Sequence, residues 1–316
     1  MGKGYKAYAG VAEETVWGTK VVSGMDFTEF TTEGVKKTVE EILSKGINSS
    51  REQKRRLQGK IRVAGNLNFE VNPDDVIGLV LKHTLWGVAA PVQQGATTGY
   101  LHAFTPGTSM PVGLTLQIGR DVAVFDYTGG KINSLKLKAA VNALLEADVA
   151  MVFKDESIGA SQTPSYSTVQ PFIFHQGVLT VGGNSVNVSD FQLEINNKLK
   201  VDRAALGSAT ILEPNEGKIE VKGSFKQFFE NTTAYTAFVA GTSAALVLTF
   251  TGALISTGVF YKLTITLPQV YYNGDTPNVS GADVDLEQTV PFTAIYDTTA
   301  TNSIKVELIN TRSTQY

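Results

Sequence analysis

Short runs in which apolar and polar residues alternate recur along this chain, separated by glycine, asparagine and serine. In FQLEI (191–195) and KVEL (305–308) the apolar residues sit two apart, the spacing of a strand with one face buried. The same reading places strands at 60–63, 114–118, 135–137, 178–181, 219–221, 246–250, 261–267 and 304–309. Many short strands between turn signals predict a mainly β protein, built as sandwiches or barrels.

The period changes near residue 72. Asn72 offers a capping side chain, Pro73 suits a first helical position, and Asp74 and Asp75 suit the positive end of a helix dipole. Val76, Ile77, Val80 and Leu81 share a face that Leu85 continues, and Gly87 serves as a stop. A helix is predicted over 73–86, with His83 at its edge. A weaker pattern, Tyr235 with Phe238 and Val239, predicts a second over 231–240.

Residues 43–58 (LSKGINSSREQKRRLQ) break the alternation. Lys45, Arg51, Lys54, Arg55 and Arg56 stand there against one acid, Glu52. This predicts an exposed loop or hairpin tip. Without interleaved aromatics to stack bases, contact with an acidic patch on a neighbouring subunit is favoured over nucleic acid.

The chain also repeats itself. GKIRVAG (59–65) returns as GKIEVKG (217–223), an offset of 217 − 59 = 158 residues, half of the 316. The two predicted helices follow the two copies at similar distances, and the later strands recur in the same order. Two tandem modules are expected, 1–158 and 159–316, joined by a small-residue linker at 155–165.

Composition narrows the chemistry. There is no cysteine, which removes disulfides, zinc–thiolate sites and thiol nucleophiles. The net charge is −3, with 18 basic and 17 acidic residues in 1–158 and 9 against 13 in the remainder. No broad basic face for nucleic acid is expected. The N-terminus lacks the apolar run of a signal peptide and no stretch has the sustained apolar character of a membrane span, so assembly in a cytoplasm and no membrane partner are expected. His83, His102 and His175 are not at metal-ligand spacing. Gly129-Gly130 and Gly182-Gly183 read as hairpin turns, not phosphate loops. Asp283 and Asp285 share a strand face that is more simply solvated than metal-binding. No catalytic residue, cofactor or metal site is expected.

One segment carries a family likeness. VLTVGGNSVNVSDFQLEINNKL (178–199) resembles the strand, glycine turn, strand and Ile-Asn-Asn pattern of phage tail tube proteins. GKIEVKG follows it, then a Leu267-Pro268 strand, while ETVWGT (14–19) resembles the opening segment of such proteins. The resemblance implies a β-sandwich with a flanking helix in each module, six modules per ring, and rings stacked into a tube. That tube would enclose the tape-measure protein and conduct DNA without sequence-specific binding. With two modules per chain, a trimer of pseudo-sixfold symmetry is expected; the alternative is a hexamer. Another self-assembling virion component, or the tube of a contractile secretion system, is the competing reading. The basic loop would then reach a neighbouring ring, and a neutral or acidic channel lining is expected.

Overall fold

The computed structural model describes residues 2–47, 49–274 and 285–316. In the first half the strands are β1 (Tyr8–Glu13), β2 (Asp26–Thr28), β3 (Phe30–Glu33), β4 (Lys36–Leu43) and β5 (Arg56–Glu70). Helix α1 (Ile77–Leu85) follows, then β6 (Trp86–Val88), β7 (Val92–Gln93), β8 (Tyr100–Pro106), β9 (Leu114–Gly119), β10 (Val124–Ala140), β11 (Glu146–Phe153) and β12 (Asp155–Gly159). The second half has β13 (Gly177–Val181), β14 (Asn184–Val186), β15 (Val188–Asn196), β16 (Glu220–Phe228), α2 (Thr233–Ala240), β17 (Ala244–Ser256), β18 (Val259–Tyr272), β19 (Glu287–Ala294) and β20 (Lys305–Asn310). The protein is mainly β, and every strand predicted from alternation overlaps an observed one.

Strand registers repeat along with the sequence. β3 and β4 pair antiparallel with β5, Thr32 opposite Asn68 and Thr38 opposite Arg62, with a slip between Phe30 and Thr32. β15 pairs with β16, Asp190 opposite Lys226 and Asn196 opposite Glu220, with a slip between Val188 and Asp190. Moving each residue of the first set 158 places along gives the second. Further on, Leu116 opposite Tyr127 slips to Leu114 opposite Gly130 between β9 and β10. Between β17 and β18, Leu246 opposite Leu267 slips to Ala244 opposite Val270. The spacing of β10 to β18 is thus 267 − 127 = 140. The pairs β1–β2, β1–β9, β10–β12 and β5–β11 have counterparts in β13–β14, β13–β17, β18–β20 and β16–β19. β6, β7 and β8 belong to the first half alone, and β8 pairs with β20.

The glycines that frame the repeated heptapeptide explain its recurrence. A Cβ on Gly65 would collide with the Gly34 carbonyl, and one on Gly223 with that of Gln192. At the other end, Gly59 and Gly217 press on the carbonyls of Glu40 and Lys198. Each pair again differs from its counterpart by 158. At Gly65, Gly217 and Gly223 two strands approach more closely than a side chain allows, and at Gly59 a Cβ would fit only tightly, 3.1 Å from the Glu40 carbonyl oxygen.

Several local expectations need correction. Asn72 Oδ1 accepts the Asp74 N–H at 2.9 Å, so the polar start folds as an Asx turn and α1 begins four residues late, at Ile77. The left-handed residue ending α1 is Trp86 (φ 72°), not Gly87. Gly87 is small because a Cβ there would lie 2.6 Å from the Thr105 carbonyl. Gly182-Gly183 makes the expected two-residue hairpin, both at positive φ. Gly129-Gly130 instead forms the slip inside β10, where that strand turns from pairing with β9 and β12 to pairing with β11 and β15. Half of the expected linker is a strand, β12. The second helix lies where it was expected.

Candidate assembly surface

β5, β11, β10, β15, β16 and β19 lie side by side in that order and join the two halves into one antiparallel sheet. Strand periodicity gives this sheet two unlike faces. Leu67, Val149, Leu135, Ile195, Val221 and Ala294 stand directly opposite one another across it, all buried. They belong to a single apolar core that draws on both halves. The next row is Asn68, Asp148, Lys136, Glu194, Lys222 and Thr293, on the opposite face, with Lys136 and Lys222 exposed and the others half-buried.

Charge on that polar face is mixed and close to balanced. Where it is open to solvent, Arg62, Lys136, Lys138, Lys222 and Lys226 share it with Glu70, Glu146, Asp148, Asp190, Glu194, Glu220 and Glu287, five cations against seven acids, while Lys131, opposite Val152 on the same face, is buried and paired with Glu213. Neighbours pair: Lys226 with Glu287, and Glu220 with both Lys222 and Lys198. Hydrogen bonds from Lys198 and then Lys222 hold the Glu220 carboxyl down at about 2.

The sheet ends in an open edge. Among the described residues β3 and β4 pair only with β5. β4 reads KKTVEEIL, and its charges guard an edge whose N–H and C=O groups would otherwise recruit any strand. From it a hairpin projects, with 44–47 and 49–55 in its tip. Lys45, Arg51, Lys54 and Arg55 lie in the exposed tip. Arg56 does not: it is the first residue of β5, opposite Leu43, and its guanidinium bonds Glu41 at 2.6 Å. Strand thus takes in Leu43 and 56–58, so the exposed tip is shorter than the predicted 43–58. Its stem is apolar as well as charged, with Val39, Ile42 and Leu57 exposed.

The family profile described as phage tail tube protein matches residues 4–294. The chain belongs to the phage tail tube family. It is thus a structural component of a phage virion's tail, in a family whose subunits assemble into a multi-subunit tube. No curated protein sequence matches it.

In this tail tube protein the opening segment ETVWGT is a clasp. The buried Glu14 carboxylate accepts hydrogen bonds from Gly18 N (2.6 Å), Gly129 N (2.8 Å) and Thr115 Oγ1 (3.0 Å). Trp17 Nε1 donates to the Gly129 carbonyl at 3.1 Å, and Lys154 Nζ stands 4.9 Å from the Trp17 ring. The N-terminal segment is thereby pinned at the β10 slip.

The histidines are dispersed. His83 is buried, not at the helix edge, and meets Glu13 Oε1 at 3.1 Å; burial pushes its pKa down. The hydrogen bond from His83, joined by one from Lys82, holds the half-buried Glu13 carboxyl at about 2. His102 contacts the Arg312 carbonyl, and His175 lies in an exposed turn. Among the described residues no cluster of three potential metal ligands occurs, and no helix is long and apolar enough to cross a membrane. Asp283 lies outside the described residues.

The polar face itself escaped sequence reading. Its signal is present in Lys136-Leu137-Lys138 and Gln192-Leu193-Glu194, polar at every second position. Strand order, which tells whether those positions form one wall, is not.

Proposed function

We propose that this protein forms rings that stack into the tail tube, a conduit for DNA and a container for the tape-measure protein, with the polar face of the shared sheet lining the channel. The observation that carries this reading is the sheet itself. One face is predominantly apolar and buried, the other polar and charge-balanced, and its β4 edge is unpaired among the described residues. Closing such sheets side by side into a barrel removes the open edge. A wall of five cations against seven acids offers passing phosphates no net attraction, so DNA is not held through counterion release.

The repeated registers support two modules, 1–158 and 159–316, descended from one unit. Three chains would then supply six modules, a trimeric ring of pseudo-sixfold symmetry; a hexamer of chains, with the second half as decoration, is the competing arrangement. Lys45, Arg51, Lys54, Arg55 and Arg56 would reach an adjacent ring, Arg56 from the hairpin's stem. Assembly takes place in the host cytoplasm. Negative-stain microscopy of the purified protein, with subunit mass per ring, tests this reading: annular or tubular particles of three chains per ring are expected. A sample that stays monomeric at high concentration in every buffer overturns it.

A further inference from the structure

The two halves share one plan, yet they differ at both ends of the sheet that joins them. At one end the first half raises the basic hairpin. Its counterpart 158 places on, 198–217, folds back instead against β5 and β10. The Ala209 carbonyl accepts a hydrogen bond from Ile61 N at 2.8 Å, Ile211 is buried, and Glu213 meets the buried Lys131 at 2.7 Å. Each chain therefore raises a hairpin from its first half alone. In the tip Ile47 is fully exposed beside the exposed cations Lys45, Arg51 and Arg55.

The opposite end, where β5 stops at Glu70 and β16 at Phe228, carries the reverse asymmetry. In each half a groove lies there between the approach to the helix and a short strand, β2 or β14, again 158 apart. In the first half, residues 165–169 and 311, 312 and 316 wall this groove in. Asn72 Nδ2 donates to the Val169 carbonyl (2.6 Å), Arg312 Nη1 to Asp26 (2.9 Å) and Thr311 Oγ1 to Asp74 (2.9 Å). The counterparts of Asn72, Asp26 and Asp74 are Glu230, Asn184 and Thr232, all exposed. Among the described residues no other segment reaches the second groove, which is lined from within 181–187 and 225–234 and by Tyr272, and holds about 340 Å³. Val181, Val186, Phe225 and Tyr272 make it apolar, with Phe228 44% exposed. Glu230 lines it too, and Asp190, Asp285 and Glu287 stand at the same sheet end against Lys226.

We propose that the hairpin tip of one copy seats in the second-half groove of a copy in the next ring. Ile47 enters against Phe228, and the tip's cations face Glu230 and its acidic neighbours. The first half supplies the plug and the second half the socket, one of each per chain, at opposite ends of the sheet. A contact between unlike surfaces does not close on itself between two rings, so it repeats from ring to ring as a tube requires. It also fixes the rotation between rings, setting the first half of each chain over the second half of another. The inference rests on the tube reading and names the surface that receives the basic tip.

The chain has no cysteine, so introduced thiols have no competitors. The double variant Ile47→Cys, Phe228→Cys is assembled into tubes and then oxidised. A covalent ladder running beyond the ring size is expected, and none from either single variant. In parallel, Ile47→Asp is expected to raise the concentration needed for tubes about tenfold, with rings and melting temperature as in the parent, because the side chain is fully exposed before assembly. Double-variant tubes without a ladder, a ladder that stops at the ring size, or Ile47→Asp tubes that form as readily as the parent's overturn this contact and leave the tube reading standing. A parent chain that forms no tubes overturns both.

Discussion

The carbonyl oxygen of Gly34 occupies the place where a Cβ on Gly65 would have to go, and Gln192 and Gly223 repeat the relationship in the second half. Gly65→Ala and Gly223→Ala are therefore each expected to cost about 1–3 kcal/mol, because neighbouring backbone must shift to admit one methyl group. Gly34→Ala is the control: a Cβ there meets nothing within 4 Å, and its effect should stay within about 0.5 kcal/mol. Chemical denaturation of the three variants checks this. Equal costs at 34 and 65 would show that the close approach is not what fixes the glycines.

That contact also shows what could be read in the sequence. The heptapeptide repeat was visible as spelling, and the alternation around it located the strands, because a half-buried strand must alternate wherever it sits. Which strand lies beside which was not legible: β10 bonds to β9 and β12 through its first third and to β11 and β15 through the rest, and nothing in KINSLKLK names those partners. The late start of α1 has the same origin. Asn72 caps equally well in a turn or a helix, and the buried packing of Val71 and Val76 selects the turn. Arg56 looked like part of a free basic run because its partner Glu41 stands fifteen residues away across a hairpin.

Glu14 anchors the N-terminal segment by accepting three hydrogen bonds in a buried setting. Glu14→Ala strands the Gly18, Gly129 and Thr115 donors and is expected to destabilise by about 2–4 kcal/mol. Glu14→Gln keeps an acceptor oxygen and should lose less. Hydrogen exchange localises the effect: protection at Gly18 and Gly129 should fall first, and a uniform loss across the sheet would refute the clasp.

Burial pushes the Asp75 carboxyl up to about 7, and the nearby Asp26 and Glu29 push the same way. The sign follows from linkage. The folded state prefers the protonated form, so stability is highest below the unfolded value of about 4 and declines as pH rises toward 7. Asp75→Asn, which cannot ionise yet retains an oxygen for the Val76 N–H, should raise the melting temperature by a few degrees at pH 8 and progressively less toward pH 4. A pH-independent difference between variant and parent would remove Asp75 as the source.

Neutral residues in place of Lys45, Arg51, Lys54, Arg55 and Arg56 should leave the monomer's melting temperature unchanged, since these side chains are exposed. Stacking of rings into tubes should fail or need higher concentration, and parent tubes should shorten in added salt, which screens exposed charge. Sedimentation of polymer against free rings separates the steps. Variant tubes as long and as salt-sensitive as the parent's would exclude the tip from the axial contact.

Glu194 stands between Lys136 and Lys222 on the polar face, and Asp148 flanks Lys136 from the other side. Glu194→Lys with Asp148→Lys makes every charged position of this row cationic without touching the buried face. If the row lines the channel, tubes still assemble, but phosphates now find fixed cations and release counterions on binding them. DNA ejection, followed by dye entry into single particles, should slow sharply at low salt and recover as salt rises. The salt dependence separates this outcome from a mere assembly defect, which would lower particle yield while leaving the ejection rate of surviving particles alone. Ejection at the parent's rate from cationic tubes would place this face away from the DNA.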